Sequence, residues 1–270
     1  MTTTQTAPAA GRAPAAAPAQ VSVLSALAGA SWRNNLRLSR NAASLSSAFI
    51  IPGTFFLVFF ATFGHAARQA GLDYPLFLLA AALFQAVMFT AGGSAMALAV
   101  DQENGLIQRM RAMPLPAVAA VGGRLACDGL RAVASMATVT ALALVAGARP
   151  HSVAGLFFAL IMTLGFGLVL DLLFNGMALR SRHPIRVAAL IQGIEMPVLM
   201  LSTAFVPAAT LPDWVRPVIE HLPFSVLIDT ERALLFGTDA GSAAYESLAW
   251  LIGSTLLGTL WIARSFRRGS

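Results

Sequence analysis

Not one lysine occurs in the 270 residues; all 18 basic side chains are arginine. That absence excludes chemistry. A G-x-x-x-x-G-K phosphate loop needs its lysine to reach the nucleotide phosphates, so this chain has no such loop. A lysine Schiff base is excluded as well. Any ATP used here is bound by another chain. Cysteine is almost missing too: Cys127 stands alone, which rules out an internal disulfide and a cysteine-rich metal centre. His65, His151, His183 and His221 form no His-x-x-x-His pair, so no metal site is predicted. Charge is scarce throughout. Only 11 % of the residues are Asp, Glu, Lys or Arg, against about a quarter in soluble domains.

Apolar residues fill that space. They make up 57 % of the chain, and the mean hydropathy is +0.72. Several runs approach the ~20 residues that a bilayer core requires. An all-α integral membrane protein is predicted, with six spans near 43–63, 76–100, 125–146, 153–174, 187–206 and 245–263. Pro52 with Gly53, and Pro197, should bend the first and fifth spans. The net charge of +6 does not point to nucleic acid, because the arginines lie between apolar runs rather than in one patch.

Residues 1–20 are rich in Ala, Pro and Thr and read as a disordered cytoplasmic tail ahead of a single permease domain, 21–270. They lack the charged start and apolar core of a signal peptide. Residues 21–40 carry apolar side chains at helical spacing, then Trp32 with Arg33, Arg37 and Arg40. They fit an interfacial amphipathic helix or a plain helical lead-in to the first span. With the N-terminus inside, fourteen arginines fall on the inner side and four on the outer, so both termini are predicted to be cytoplasmic. Between spans five and six, 212–220 and 226–236 read as short outer helices, interfacial or re-entrant, with Ser225 as an N-cap and Gly237 as a stop.

The stretch DQENGLIQRMRAMPLP, 101–116, interrupts two long apolar runs. Asp101 is placed to cap a helix, and Glu103 in a first turn suits the positive end of its dipole. Leu106, Ile107, Met110 and Met113 then share one face, with Asn104, Gln108 and Arg111 opposite and Arg109 at the border. Pro114 ends that helix. An apolar ridge rimmed by charge suits a docking partner; a helix lying on lipid headgroups is the alternative.

Within the spans, Arg124, Asp128 and Arg131 fall at i, i+4 and i+7 and share a face, so Asp128 can pair with either arginine. This reads as an inner-side charge network fixing the third span against the 101–116 helix, or as a polar lining for a substrate entrance. Asp171, one turn inside the fourth span, has Arg131, Arg180 and Arg182 as candidate partners. Glu195 lies near the midplane of the fifth span, which makes it a functional candidate. With Gln192 and Gln85 it forms a predicted substrate path; a structural carboxyl bonded to a neighbouring helix is the competing reading. Gly92, Gly93, Ser94, Gly165, Gly167, Ser254 and Gly258 are expected to allow close helix approach.

The segment ENGLIQRMRAMPLP resembles the cytoplasmic loop of the ABC-2 type permeases, the membrane subunits of one class of ATP-binding-cassette exporter. Glu103, Gly105, Arg109, Arg111, Pro114 and Pro116 occupy that loop's positions. PVLMLSTAFVPAATLPDWVRPV is similar to the family's fifth span and outer loop, through Pro197, Ser202, Phe205, Pro207, Leu211, Pro212 and Trp214. HLPFSVLIDTERALLFG resembles the family's Asn-Pro…Arg segment, but His221 and Leu222 stand where Asn is commoner. The drug-efflux permeases of the daunorubicin-resistance type are the nearest in character.

The resemblance implies a division of labour. A P-loop ATPase subunit binding ATP and Mg would dock on a coupling helix formed by Glu103, Gly105, Ile107, Arg109, Met110, Arg111 and Pro114. A second permease, identical or related, would complete the exporter in the bacterial cytoplasmic membrane, surrounded by membrane lipids. Trp214 and Arg232 would belong to the outer gate. The chain itself would be no enzyme and bind no cofactor. The cargo classes implied are amphipathic drugs, natural products and lipids. Two other classes compete. An intramembrane enzyme is disfavoured because GGSA at 92–95 lacks the last Gly of G-x-S-G, and no Asp-x-x-Asp motif occurs. A proton-coupled secondary transporter or channel would use Glu195 and Asp171.

Overall fold

The computed structural model describes residues 42–69, 71–106, 117–205 and 212–267. Eight helices occur among them: α1 (Ala42–Gln69), α2 (Tyr74–Glu103), α3 (Ala117–Val145), α4 (Val153–Arg180), α5 (Pro184–Met200), α6 (Arg216–Glu220), α7 (Pro223–Phe236) and α8 (Ser242–Arg267). The predicted tail and the 21–40 helix lie outside the described residues. Among the described residues, four stretches are long and apolar enough to cross a membrane: Phe49–Gln69, Tyr74–Glu103, Gly122–Val145 and Val153–Arg180. The chain is therefore an all-helical, multi-pass membrane protein.

Helix α2 is the axis of the fold. It packs against α1, α3, α4, α5 and α7, and 83 % of its apolar window is buried inside the protein, against 22 % for α1. Its composition explains this. Ala80, Ala81, Ala82, Ala86, Ala91, Ala95 and Ala99 are all buried, and small side chains let several helices approach one axis. The start is also encoded locally. Asp73 accepts from the Leu76 amide at 3.2 Å, and Pro75 occupies the first turn where its missing N–H costs nothing.

Two crossings depend on glycine. A Cβ on Gly167 of α4 would lie 2.6 Å from Val87 Cβ of α2, so the two backbones meet there without room for a methyl group. Gly167→Ala is expected to cost about 1–3 kcal/mol by overpacking. A lowered melting temperature in detergent checks this. Gly165→Ala, where nothing lies within 4 Å of the added carbon, is the control, and equal melting of the two variants would contradict the close crossing. At Gly92, an added methyl group would collide with the Glu195 carboxyl of α5.

Several boundaries differ from the sequence reading. Asp101 and Glu103 do not begin a new helix. They form the last turn of α2, which Asn104 closes, with Gly105 at φ 71°. A helix can outrun its apolar stretch, because backbone bonding continues where water or a partner satisfies the polar side chains. The two acids therefore sit at the negative end of a helix dipole, where a compensating cation is favoured. Helix α5 ends at Met200 in a turn at 201–205, short of the expected 206. At ~1.5 Å per residue its 17 residues cover roughly 25 Å. Pro52 and Pro197 both lie inside continuing helices.

Between α5 and α8, the expected 212–220 helix is reduced to α6, Arg216–Glu220. Helix α7 begins at Pro223, after Leu222 as the cap. Ser225 is thus inside the helix rather than capping it, and its Oγ accepts instead from the Thr203 amide at 3.2 Å. Gly237 closes α7 as expected, with φ 70° in the left-handed region that favours glycine. The far end of α7 is pinned to the start of α4. The His151 amide donates to the Leu235 carbonyl at 2.8 Å, and Gly155 of α4 leaves space for the Leu234 carbonyl.

Candidate functional site

Three helices meet in a buried polar network at one end of the bundle. Asp128 of α3 is 6 % exposed. Its Oδ2 accepts from Ser94 Oγ of α2 at 2.6 Å, and its Oδ1 pairs with Arg131 Nη1 at 3.2 Å. Arg124 approaches the same carboxylate through Nε at 3.8 Å and donates through Nη2 to the Ser94 carbonyl at 2.6 Å. From α4, Asn175 Nδ2 donates to Ser94 Oγ at 3.1 Å and to Asp171 Oδ1 at 2.8 Å. The spacing-based expectation that Asp128 pairs with an arginine of its own face is met by both arginines. Asp171 joins through the Asn175 amide.

Asp101 connects this network to the 102–116 segment. Arg124 Nη1 lies 3.5 Å from Asp101 Oδ2. Asp101 precedes the 102–116 stretch and Arg124 follows it, so one ion pair closes the segment at its base. This pair also supplies the cation that the carboxyl end of α2 favours. Gln102 Nε2 reaches the Leu179 carbonyl of α4 at 3.5 Å. Glu103 is exposed beside Gly105. Ile107, Arg109, Met110, Arg111 and Pro114 lie outside the described residues. The coupling helix predicted there has its base described, not its body.

A buried ionic cluster stabilises only when its hydrogen bonds are completed. Here Asp128 has three partners on two helices, and Ser94 is held through both its hydroxyl and its carbonyl. The Asp101–Arg124 pair at the base of the 102–116 segment is thus continuous with contacts on α2, α3 and α4. Sequence spacing exposes the Arg124–Asp128–Arg131 face. It gives no sign of Asn175 or of the staple to Asp101, because both depend on which helices are neighbours. Ser94 was read there only as a small packing residue.

The three residues of the predicted substrate path do not gather. Glu195 of α5 is 4 % exposed and its carboxyl fills the notch at Gly92 of α2. Gln192 is exposed, so it does not share the Glu195 face as the spacing suggested. The boundary of the packed face of α5 runs between them. Gln85 is buried on α2, seven residues before Gly92, and therefore on the same side of that helix. Among the described residues, neither oxygen of Glu195 and neither amide atom of Gln85 finds a hydrogen-bond partner.

At the other end of the bundle, Arg232 of α7 is a hub. Its Nη1 donates to the Thr203 carbonyl at 2.7 Å and its Nη2 to the Ala204 carbonyl, just past α5. The guanidinium carbon stands 3.8 Å from the centre of the Phe77 ring of α2, within cation–π range. Asp229 lies 3.4 Å away and also accepts from Thr203 Oγ1 at 3.0 Å. Burial lowers the Arg232 pKa to about 10, with Asp229 opposing, so the group stays charged at neutral pH. Burial likewise pushes the neighbouring Glu231 carboxyl well above the ordinary range. Trp214, grouped with Arg232 by the sequence reading, stands apart on the turn before α6 with 82 % exposure. Glu231, wholly buried, was not anticipated.

Known proteins share this arrangement of sequence. A family model described as "ABC-2 type transporter" matches residues 26–236. That range includes the 101–116 segment, the charge network, Glu195 and Arg232. The daunorubicin resistance ABC transporter permease protein DrrB1 of Streptomyces coeruleorubidus is 28 % identical over 222 residues, 82 % of this chain and 78 % of that protein. The probable doxorubicin resistance ABC transporter permease protein DrrC of Mycobacterium tuberculosis is 22 % identical over 239 residues, 87 % of this chain and 85 % of that protein. The match spans most of the chain and both of its polar centres; the chain belongs to the ABC-2 type transporter family.

Proposed function

We propose that this chain is the membrane-spanning permease subunit of an ATP-driven exporter of amphipathic small molecules or lipids. A separate P-loop ATPase binds ATP and Mg, docks on the 101–116 segment and drives alternating access. Two permeases, identical or related, enclose the path. The observation that carries this reading is the Arg124–Asp101 pair at the base of that segment, continuous with a buried network on α2, α3 and α4. A push on the segment is thereby delivered to three helices at once. The absence of lysine supports placing the P-loop on a partner. The drug-resistance names of the two relatives support outward transport of an amphipathic drug or natural product.

The orientation rests on arginine asymmetry: both termini and the 101–116 segment are cytoplasmic, in the bacterial cytoplasmic membrane. Helices α5 and α8 complete six spans. Gln85 and Glu195 contribute the polar lining of the path when α5 leaves α2, and Gln192 faces the second permease. Arg232 and Trp214 act at the outer gate. The network of Arg124, Asp128, Arg131 and Asp171 is structural, and it transmits force.

Substitutions in the coupling segment test the docking claim. Glu103→Arg, or Ile107→Asn with Met110→Asn, is expected to leave the protein inserted and ATP hydrolysis active while ATP-driven transport falls about tenfold or more, a loss on the scale of an interface hot spot. Hydrolysis and transport measured in the same proteoliposomes check this. Undiminished transport would return the segment to a linker lying on headgroups. The unpartnered Glu195 carboxyl favours a second reading, a proton-coupled secondary transporter. In that case transport would follow an imposed proton gradient and ignore ATP.

A further inference from the structure

Glu195 and Arg131 stand on either side of two consecutive residues that have no side chains. The Glu195 carboxyl occupies the space that a side chain on Gly92 would fill. Arg131 Nη2 lies 3.5 Å from the Cβ position of Gly93. The two contacts fall on consecutive residues of α2, about 100° apart around its axis. Each group has unused capacity. Glu195 is 4 % exposed, and among the described residues neither of its oxygens has a partner; Arg131 Nε is likewise buried with no partner among them. A buried carboxyl with no partner is costly, and the cost falls when it gains a cation.

We propose that Glu195 and Arg131 are alternate partners. In the structure Arg131 pairs with Asp128; in the other state of the transport cycle α5 carries Glu195 across the Gly92–Gly93 gap to the Arg131 guanidinium. Three features favour that exchange. Asp128 keeps Ser94 at 2.6 Å and Arg124 at 3.8 Å when Arg131 leaves, so no charge is stranded. Pro197 has no N–H, so the Gly193 carbonyl of α5 lacks its helical donor, and the helix is weakened over the turn that holds Glu195. Nothing lies within 4 Å of the Cβ position of Gly193, so this turn can move without a clash there. The exchange rests on the permease reading above and gives it a specific link: the network that receives force from the 101–116 segment trades one arginine with the helix that carries Glu195.

The test does not need the cargo. On a Cys127→Ala background, Arg131→Cys with Glu195→Cys is co-expressed in membranes with the ATPase that co-purifies with the chain. A short bis-methanethiosulfonate is then applied without nucleotide and with ATP plus vanadate. The exchange predicts a severalfold rise in cross-linked product with ATP plus vanadate. Equal cross-linking in every condition overturns it. A rise under an imposed proton gradient but not with ATP keeps the exchange and overturns the ATP-driven reading. Cross-linking reports approach; charge pairing is read separately in proteoliposomes with Arg131→Gln, Glu195→Gln and the double variant, using ATP hydrolysis stimulated by the permease. Partners lose about tenfold singly and about the same tenfold together. Losses that multiply, or a silent Glu195→Gln, overturn the pairing.

Discussion

Asp128→Ala is expected to lower stability by about 3–5 kcal/mol, the scale on which one member of a buried ion pair is removed. The carboxylate is 6 % exposed and holds Arg124, Arg131 and the Ser94 hydroxyl. Its loss leaves two guanidinium groups near one another inside a helical bundle with no anion between them. Arg124 retains the Asp101 carboxylate and the Ser94 carbonyl. Arg131 retains neither, so the greater part of the penalty falls on it. Asp128→Asn keeps the shape and an acceptor for Ser94 but removes the charge, and a smaller loss is expected. Thermal unfolding of the purified protein in detergent, followed by monodispersity, orders the three proteins as wild type, Asn, Ala. If Asp128→Ala melts with the wild type, the network is not what joins α2 to α3.

The second large effect is expected at the opposite end. Arg232→Ala removes the donors to the Thr203 and Ala204 carbonyls and the cation from the Phe77 ring. Both carbonyls belong to buried residues, and each unsatisfied acceptor costs about 1–3 kcal/mol. With the cation–π contact, the total is expected near 3–5 kcal/mol. The consequence is local. The end of α5 loses its guanidinium tie to α7 and to the start of α2, keeping the Thr203 bonds to Ser225 and Asp229, while the Ser94–Asp128 network is untouched. Hydrogen exchange should therefore rise in 201–205 and in α7, with little change around Ser94 and Asp128. Arg232→Lys keeps a charge but cannot serve two carbonyls and a ring face together, because an ammonium lacks the planar fork. Uniform protection in Arg232→Ala would show that α5 is held by packing alone.

Much of this architecture is legible in the chain, for physical reasons. Apolar run length announces four of the six predicted spans, because the bilayer sets it. The i, i+4, i+7 spacing of Arg124, Asp128 and Arg131 announces a shared face, because helix geometry sets it. Gly237 announces the end of α7, because a left-handed terminus favours glycine. What stays hidden depends on neighbours. Asn175 meets Ser94 only because α4 lies beside α2. Asp101 looked like the start of a helix because Asp is a favoured N-cap and Glu103 follows it, yet the preceding helix runs on through both residues. Gln192 and Glu195 are three residues apart, close enough to share a face; the contact with α2 decides that one is buried and the other exposed. Trp214 and Arg232 were paired by family position, and their exposures separate them.

The central claim is that the base of the 101–116 segment passes force into the bundle through Arg124. Arg124→Gln tests it most directly. It retains a donor for the Ser94 carbonyl but removes the ion pair with Asp101. In proteoliposomes holding the chain and its ATPase, ATP hydrolysis and transport are measured together, and the ratio of molecules moved to ATP consumed is the readout. The account predicts that hydrolysis continues while this ratio falls about tenfold or more, the equivalent of at least one close charge-pair coupling energy. An unchanged ratio, with hydrolysis and transport both at wild-type levels, would contradict it.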